Sequence, residues 1–162
     1  MKRRIATLSI LLGGLLTFWI LVVGYNVLTG PHTELGVIEG RLTAVPDSPN
    51  AVSSYALSTE HAMEPISFAG SSKQALGCVR TLVESMPRAR IVVIKDNYLR
   101  AKFESSFFRF VDDVEFLIQE ATSVIHFRSA SRLGHSDLGA NRARMEKIKR
   151  CFEQQQSQSM TE

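Results

Sequence analysis

Apolar residues change their spacing several times along the chain. Residues 5–28 carry no charge over 24 positions, and a helix of that length reaches roughly 36 Å, enough to cross a hydrocarbon core. Lys2, Arg3 and Arg4 precede it, and the next basic residue is Arg41. That asymmetry predicts an inner-membrane span with its N-terminus in the cytoplasm and the remainder in the periplasm. No lipobox cysteine and no small-x-small site follows, so residues 1–30 read as an uncleaved signal anchor, with cleavage near Gly30 as the alternative. Residues 31–40 are then a polar connector.

From Arg41 the pattern is that of a small folded domain, residues 41–153. Residues 41–56, RLTAVPDSPNAVSSYA, are rich in Pro, Ser, Asn and Asp, and predict a loop. Pro65-Ile66-Ser67-Phe68 predicts a short strand. Ser71 or Ser72 can then cap a helix whose apolar positions Leu76, Val79, Val83 and Met86 recur at helical spacing until Pro87. Four β patterns follow: RIVVI at 90–94, the alternating 99–104, the alternating 113–118 and the alternating 124–128. A last helix starts near Ser136-Asp137 with Leu138, Met145, Ile148 and Phe152 on one face. The tail 154–162 is expected to fray. Strand, helix, four strands and helix make an α+β class domain of two layers, an antiparallel sheet under two main helices.

Charge narrows the classes of function. Of 19 basic residues three precede the apolar segment, so 16 remain against 16 acids in residues 31–162. A neutral domain lacks the basic face a nucleic-acid binder needs, and no nucleic-acid partner is expected. His32, His61, His126 and His135 are scattered without an i, i+4 pair or a Cys-x-x-Cys partner, so no metal site and no cofactor is predicted. Cys78 and Cys151 fall on the flanks of their helices, where a bridge and two separate thiols are both open.

Three constellations carry candidate chemistry. Arg100 and Lys102, Asp113 and Glu115, and His126 and Arg128 place opposite signs on the polar sides of successive strands, which predicts a solvated face with weak cross-strand pairs. Asp112 has the opposite parity and faces inward, where a carboxylate needs a partner such as an arginine. Phe107-Phe108-Arg109-Phe110 lies near a bend; an exposed Phe107 beside Arg109 would make a tip suited to a membrane surface or a partner protein.

The segment from Arg128 to Arg142 is the chief binding candidate, through Arg128, Ser129, Ser131, Arg132, His135, Asp137, Asn141 and Arg142, with Asp112 beside it. Arg128, Arg132 and Arg142 around a helix start suit an anion, while Asp137 competes for that position as a helix cap. Ser, His and Asp within one loop do not converge as a hydrolytic triad, and no G-x-S-x-G elbow exists.

FRFVDDVEFLI (108–118), VIHFRSASRLGHSDLGANRARMEKI (124–148) and VPDSPNAVSS (45–54) resemble the domain of unknown function 1499 family. The likeness covers most of residues 38–150, and RSASR followed by SDLG-x-NR is its most specific part. The resemblance implies membership without a known activity and offers no catalytic residues. Relatives carry cysteines where Val45 and Ala51 stand, which implies a loop staple that this chain lacks. They carry tyrosine at the place of His135, which speaks against a general base there.

These readings together predict a single-pass membrane protein whose periplasmic domain is a non-enzymatic binding module. Its partner would be an envelope protein or an anionic or lipid ligand. The alternatives are a hydrolase or transferase using Ser53 or Ser54 with His61, or Asp112 as an acid, and a binder of lipids or small hydrophobes in a phenylalanine-lined pocket.

Overall fold

The computed structural model describes residues 2–28 and 34–159. The end of the predicted anchor at 29–30, connector positions 31–33 with His32, and tail positions 160–162 lie outside the described residues.

The sheet has six strands, β3 (Ala51–Ser53), β4 (Ile66–Ser67), β5 (Ala89–Lys95), β6 (Tyr98–Glu104), β7 (Val111–Gln119) and β8 (Val124–Ser131), in the order β3-β8-β7-β6-β5. Every strand pairing is antiparallel. β3 and β4 lie end to end along the same edge of β8, one against residues 128–130 and the other against 124–125. The α+β architecture and the antiparallel sheet are therefore present as the patterning predicts.

Helices α2 (Ser72–Ser85) and α3 (Ala140–Ser159) cover one face of that sheet. Ser71 caps α2 through a reciprocal box: its hydroxyl accepts from the Gln74 N–H, and the Gln74 side chain accepts from the Ser71 N–H at 3.0 Å. Val79, Val83, Met145, Ile148 and Phe152 from the helices meet Leu99, Phe103, Val114, Phe116, Ile118, Ile125 and Phe127 from the strands, and these side chains form the core. α3 continues through 154–159, where fraying was expected. Leu138 does not join the helix face. It stands almost fully exposed, one residue before Gly139, and both adopt left-handed backbone, which only glycine takes without steric cost.

The opposite face departs from expectation. Residues 34–50, predicted as connector and loop, form a strap that includes a two-stranded ribbon, β1 (Val37–Ile38) and β2 (Arg41–Leu42). Strap and sheet are joined by the Gly36 N–H, which donates to Glu115 at 2.7 Å, and by Arg128, which donates to the Ala44 carbonyl at 3.3 Å. The β7–β8 half of the predicted solvated face is thereby buried, with Asp113, Glu115 and Arg128 almost inaccessible. Short, turn-rich strands carry too few residues for a periodic signal, which is why the strap and β3 read as loop.

The N-terminal segment is helix α1 (Lys2–Leu28). Among the described residues no helix is long and apolar enough to cross a membrane. This overturns the reading of 5–28 as a transmembrane signal anchor, and with it the inner-membrane and periplasmic placement. The Trp19 indole N–H of α1 donates to the Phe107 carbonyl at 3.2 Å, and the two rings pack at a centroid distance of 6.1 Å. The exposed tip formed by Phe107, Phe108 and Phe110 is thus a contact for α1, and Arg109 within it pairs with Glu104.

Candidate functional site

Strand alternation divides the 128–132 string between the two faces of β8. Ser129 and Ser131 turn toward the helices; Arg128, Ala130 and Arg132 turn toward the strap. Two buried polar networks result, back to back across the sheet.

On the helix side, Asn141 is the hub. Its amide donates to the Asn50 carbonyl at 2.8 Å and to Ser131 Oγ at 3.0 Å, while its Oδ1 accepts from Ser129 Oγ at 2.5 Å and from Arg144 at 2.6 Å. Arg144 also reaches Ser129 Oγ at 3.1 Å and Asp112 at 2.5 Å, and its guanidinium lies over the Phe103 ring at 4.7 Å. Asp112 is therefore inward-facing and arginine-paired, with Ser131 Oγ donating to its second oxygen at 2.5 Å. The network ties the end of the strap at Asn50, β7, β8 and α3 into one unit.

On the strap side, Arg132 forks onto Asp113 through Nε at 2.6 Å and Nη2 at 3.0 Å. Arg128 meets Glu115 at 3.4 Å, and the Tyr98 hydroxyl donates to the same carboxylate at 2.7 Å. Burial is the largest influence on both members of the second pair: it pushes the Glu115 carboxyl up and the Arg128 guanidinium down, each toward its neutral form, against their mutual attraction. Burial likewise pushes Tyr98 up, so its phenol stays protonated as the donor. Desolvated ion pairs are a poor source of stability and a common feature of working sites.

Between this network and the strap is a cavity of about 290 Å³, lined from β7, β8 and the turn after β8 by Asp113, Arg128, Ala130, Arg132 and Gly134 and from the strap by Ser48 and Asn50. Its floor is formed by Arg128, Ala130, Ser131 and Arg132 of the RSASR string. Asn50 closes one end, donating to the Gly134 carbonyl at 2.6 Å and accepting from Ser48 Oγ at 2.8 Å.

The remaining predicted residues lie elsewhere. Asp137 caps α3, its carboxylate accepting the N–H groups of Gly139 at 3.0 Å and Asn141 at 2.7 Å; Asp137→Ala is expected to cost about 1 kcal/mol in chemical denaturation. Arg142 does not join Arg128 and Arg132. It donates to the carbonyls of Glu60 at 2.8 Å and Ala62 at 3.2 Å and fastens the loop 54–65 to α3. His135 is exposed.

Neither serine hydroxyl bonds the His61 ring. His61 binds the Ala51 carbonyl through Nδ1 at 2.9 Å, and Ser53 Oγ accepts the Tyr55 N–H at 3.1 Å. Ser54 instead reaches His126 Nδ1 at 3.0 Å, and His126 Nε2 reaches Gln119 Oε1 at 3.2 Å. That chain has a triad's connectivity, yet Ser54 Oγ also accepts the Phe127 N–H at 2.9 Å and His126 is stacked under Tyr55 at 4.0 Å. Burial, helped by the charge of Arg41, pushes the His126 imidazole down and keeps it neutral. These contacts splice β8 to the loop after β3.

Arg144, Asn50 and Tyr98 are the residues that sequence reasoning missed. A signal for Arg144 existed: Asp112 and Asp113 are consecutive in a strand and must face opposite ways, so two separate arginines are required, and Arg144 shares a helix face with Asn141.

A family model described as "Protein of unknown function (DUF1499)" matches residues 41–152, the stretch that contains both networks and all of the cavity lining but Leu35. No curated protein and no solved structure matches the chain. The match covers well over half of the sequence, and the chain belongs to the DUF1499 family.

Proposed function

We propose that this chain is a binding module whose ligand occupies the cavity between the 34–50 strap and β8. The cavity is the observation that supports this reading. A volume of about 290 Å³ lies at the lower end of the range for small-molecule sites, and its wall combines guanidinium, carboxylate, amide and hydroxyl groups on a rigid strand. Arg128 and Arg132 are balanced there by Glu115 and Asp113. A charge-balanced wall suits a small polar molecule that is neutral or zwitterionic better than a polyanion.

Ala130 is buried on the cavity floor between the two arginines, so Ala130→Leu fills the space without removing a charge or a hydrogen bond. Native mass spectrometry of the full chain is expected to show a small added mass that disappears on denaturation and is absent from the folded Ala130→Leu protein. A bare mass for the unaltered chain, with crosslinks from the cavity rim to another protein, would replace the small molecule by a protein partner. An added mass in the lipid or phosphate class would replace the balanced ligand by an anionic one.

A further inference from the structure

We infer that the chain has a second ligand site, independent of the first, which takes a small carboxamide against His61. The site is a cavity of about 400 Å³ on the other flank of the strap, lined by Arg41, Leu42, Val45, Pro46, Leu57 and His61, with Ser53 and Asp47 also on its wall.

The orientation of His61 carries the argument. Its Nδ1 lies 2.9 Å from the Ala51 carbonyl oxygen, which can only accept, so in the neutral ring Nδ1 holds the proton and Nε2 is a bare lone pair. The side chain belongs to a residue only 7% exposed, and Nε2 has no hydrogen-bond partner among the described residues. Ser53, 2% exposed, shows the complementary condition: its oxygen accepts the Tyr55 N–H, and its own hydroxyl proton has no acceptor among the described residues. Ser53 is bridged to Ala62, the residue after His61, and its N–H donates to the His61 carbonyl at 2.9 Å. An acceptor and a donor without a protein partner thus line one cavity, open to a ligand.

A primary carboxamide answers both, its N–H donating to Nε2 and its carbonyl accepting from Ser53. A carboxylate offers only lone pairs to a lone pair and faces Asp47 at the mouth, while Arg41 is already engaged over the Tyr55 ring at 4.5 Å. Leu42, Val45, Pro46 and Leu57 supply an apolar wall for the body of the ligand, and Leu57 is almost wholly exposed until something covers it.

The test is long-range ¹⁵N–¹H correlation on the full chain labelled at its four histidines, titrated with benzamide and, separately, with benzoate. The free protein is expected to show His61 with Nδ1 protonated and Nε2 of the bare-nitrogen type. Benzamide should move the Nε2 signal saturably and at least tenfold more tightly than benzoate. Leu57→Trp, which fills the mouth from an exposed position, should abolish the shift while leaving the His126 and His135 signals in place. A His61 ring protonated at Nε2, an Nε2 signal that benzamide does not move, or benzoate binding as tightly as benzamide would overturn the inference.

Discussion

Arg144→Ala is expected to lower folding stability by about 3–5 kcal/mol, the cost of leaving one partner of a buried ion pair uncompensated. Asp112 and Arg144 are only 10% and 13% exposed at their side chains, so water does little to rescue the carboxylate. The same guanidinium supplies donors to Asn141 Oδ1 and Ser129 Oγ and covers the Phe103 ring, so four partners lose a contact together. Arg144→Lys keeps the charge but cannot fork across three acceptors, and about half of the loss should remain. Arg150→Ala on the same helix is the reference: its exposed contact with Glu146 at 3.9 Å is worth less than about 0.5 kcal/mol. Urea denaturation of the three variants decides the matter. If Arg144→Ala behaved like Arg150→Ala, the network would be decorative.

That prediction rests on a residue that sequence reading passed over, and the reason is geometric. The regular elements were legible because each is long enough to repeat its pattern: α2 between the Ser71 cap and Pro87, β6 through the alternation of Leu99, Ala101 and Phe103, and α3 through Met145, Ile148 and Phe152. Helices and strands of that length announce which side is apolar. The strap does not, because β1 and β2 have two residues each and β3 has three. Without the strap the polar face of β7 and β8 had to be read as solvated, although the register places Glu115 opposite Arg128 and Asp113 opposite Ala130, two residues before Arg132.

The candidate site was legible as a string and misread as an assembly. Arg128, Ser129, Ser131 and Arg132 are all buried or nearly so, but alternate side chains serve opposite faces, and Ser129 has no part in the cavity that the arginines line with Asp113. Asn141 belongs to the helix-side network, Asp137 to a cap and Arg142 to a loop tie. Period-two alternation was available to make that division in advance; what it could not supply was which element comes to cover each face.

The largest remaining effect separates stability from binding at the strap side. Arg132→Met alone leaves the Asp113 carboxylate buried without its two-pronged partner and should cost about 3–5 kcal/mol. Asp113→Leu combined with Arg132→Met removes both charges and replaces them with apolar side chains on the cavity wall. Buried pairs replaced in this way are often neutral or stabilising, so the double variant is expected to recover most of the loss, and the coupling between the two positions should reach about 2–3 kcal/mol in a double-mutant cycle. Its cavity, however, would have lost a guanidinium and a carboxylate, and the added mass seen with the unaltered chain should disappear from a protein that is as stable as before. Recovery of stability with loss of the ligand would show that Asp113 and Arg132 are kept for recognition. A double variant as unstable as Arg132→Met would instead make the pair a structural requirement of the strap, and the polar wall of the cavity a by-product of holding residues 34–50 on the sheet.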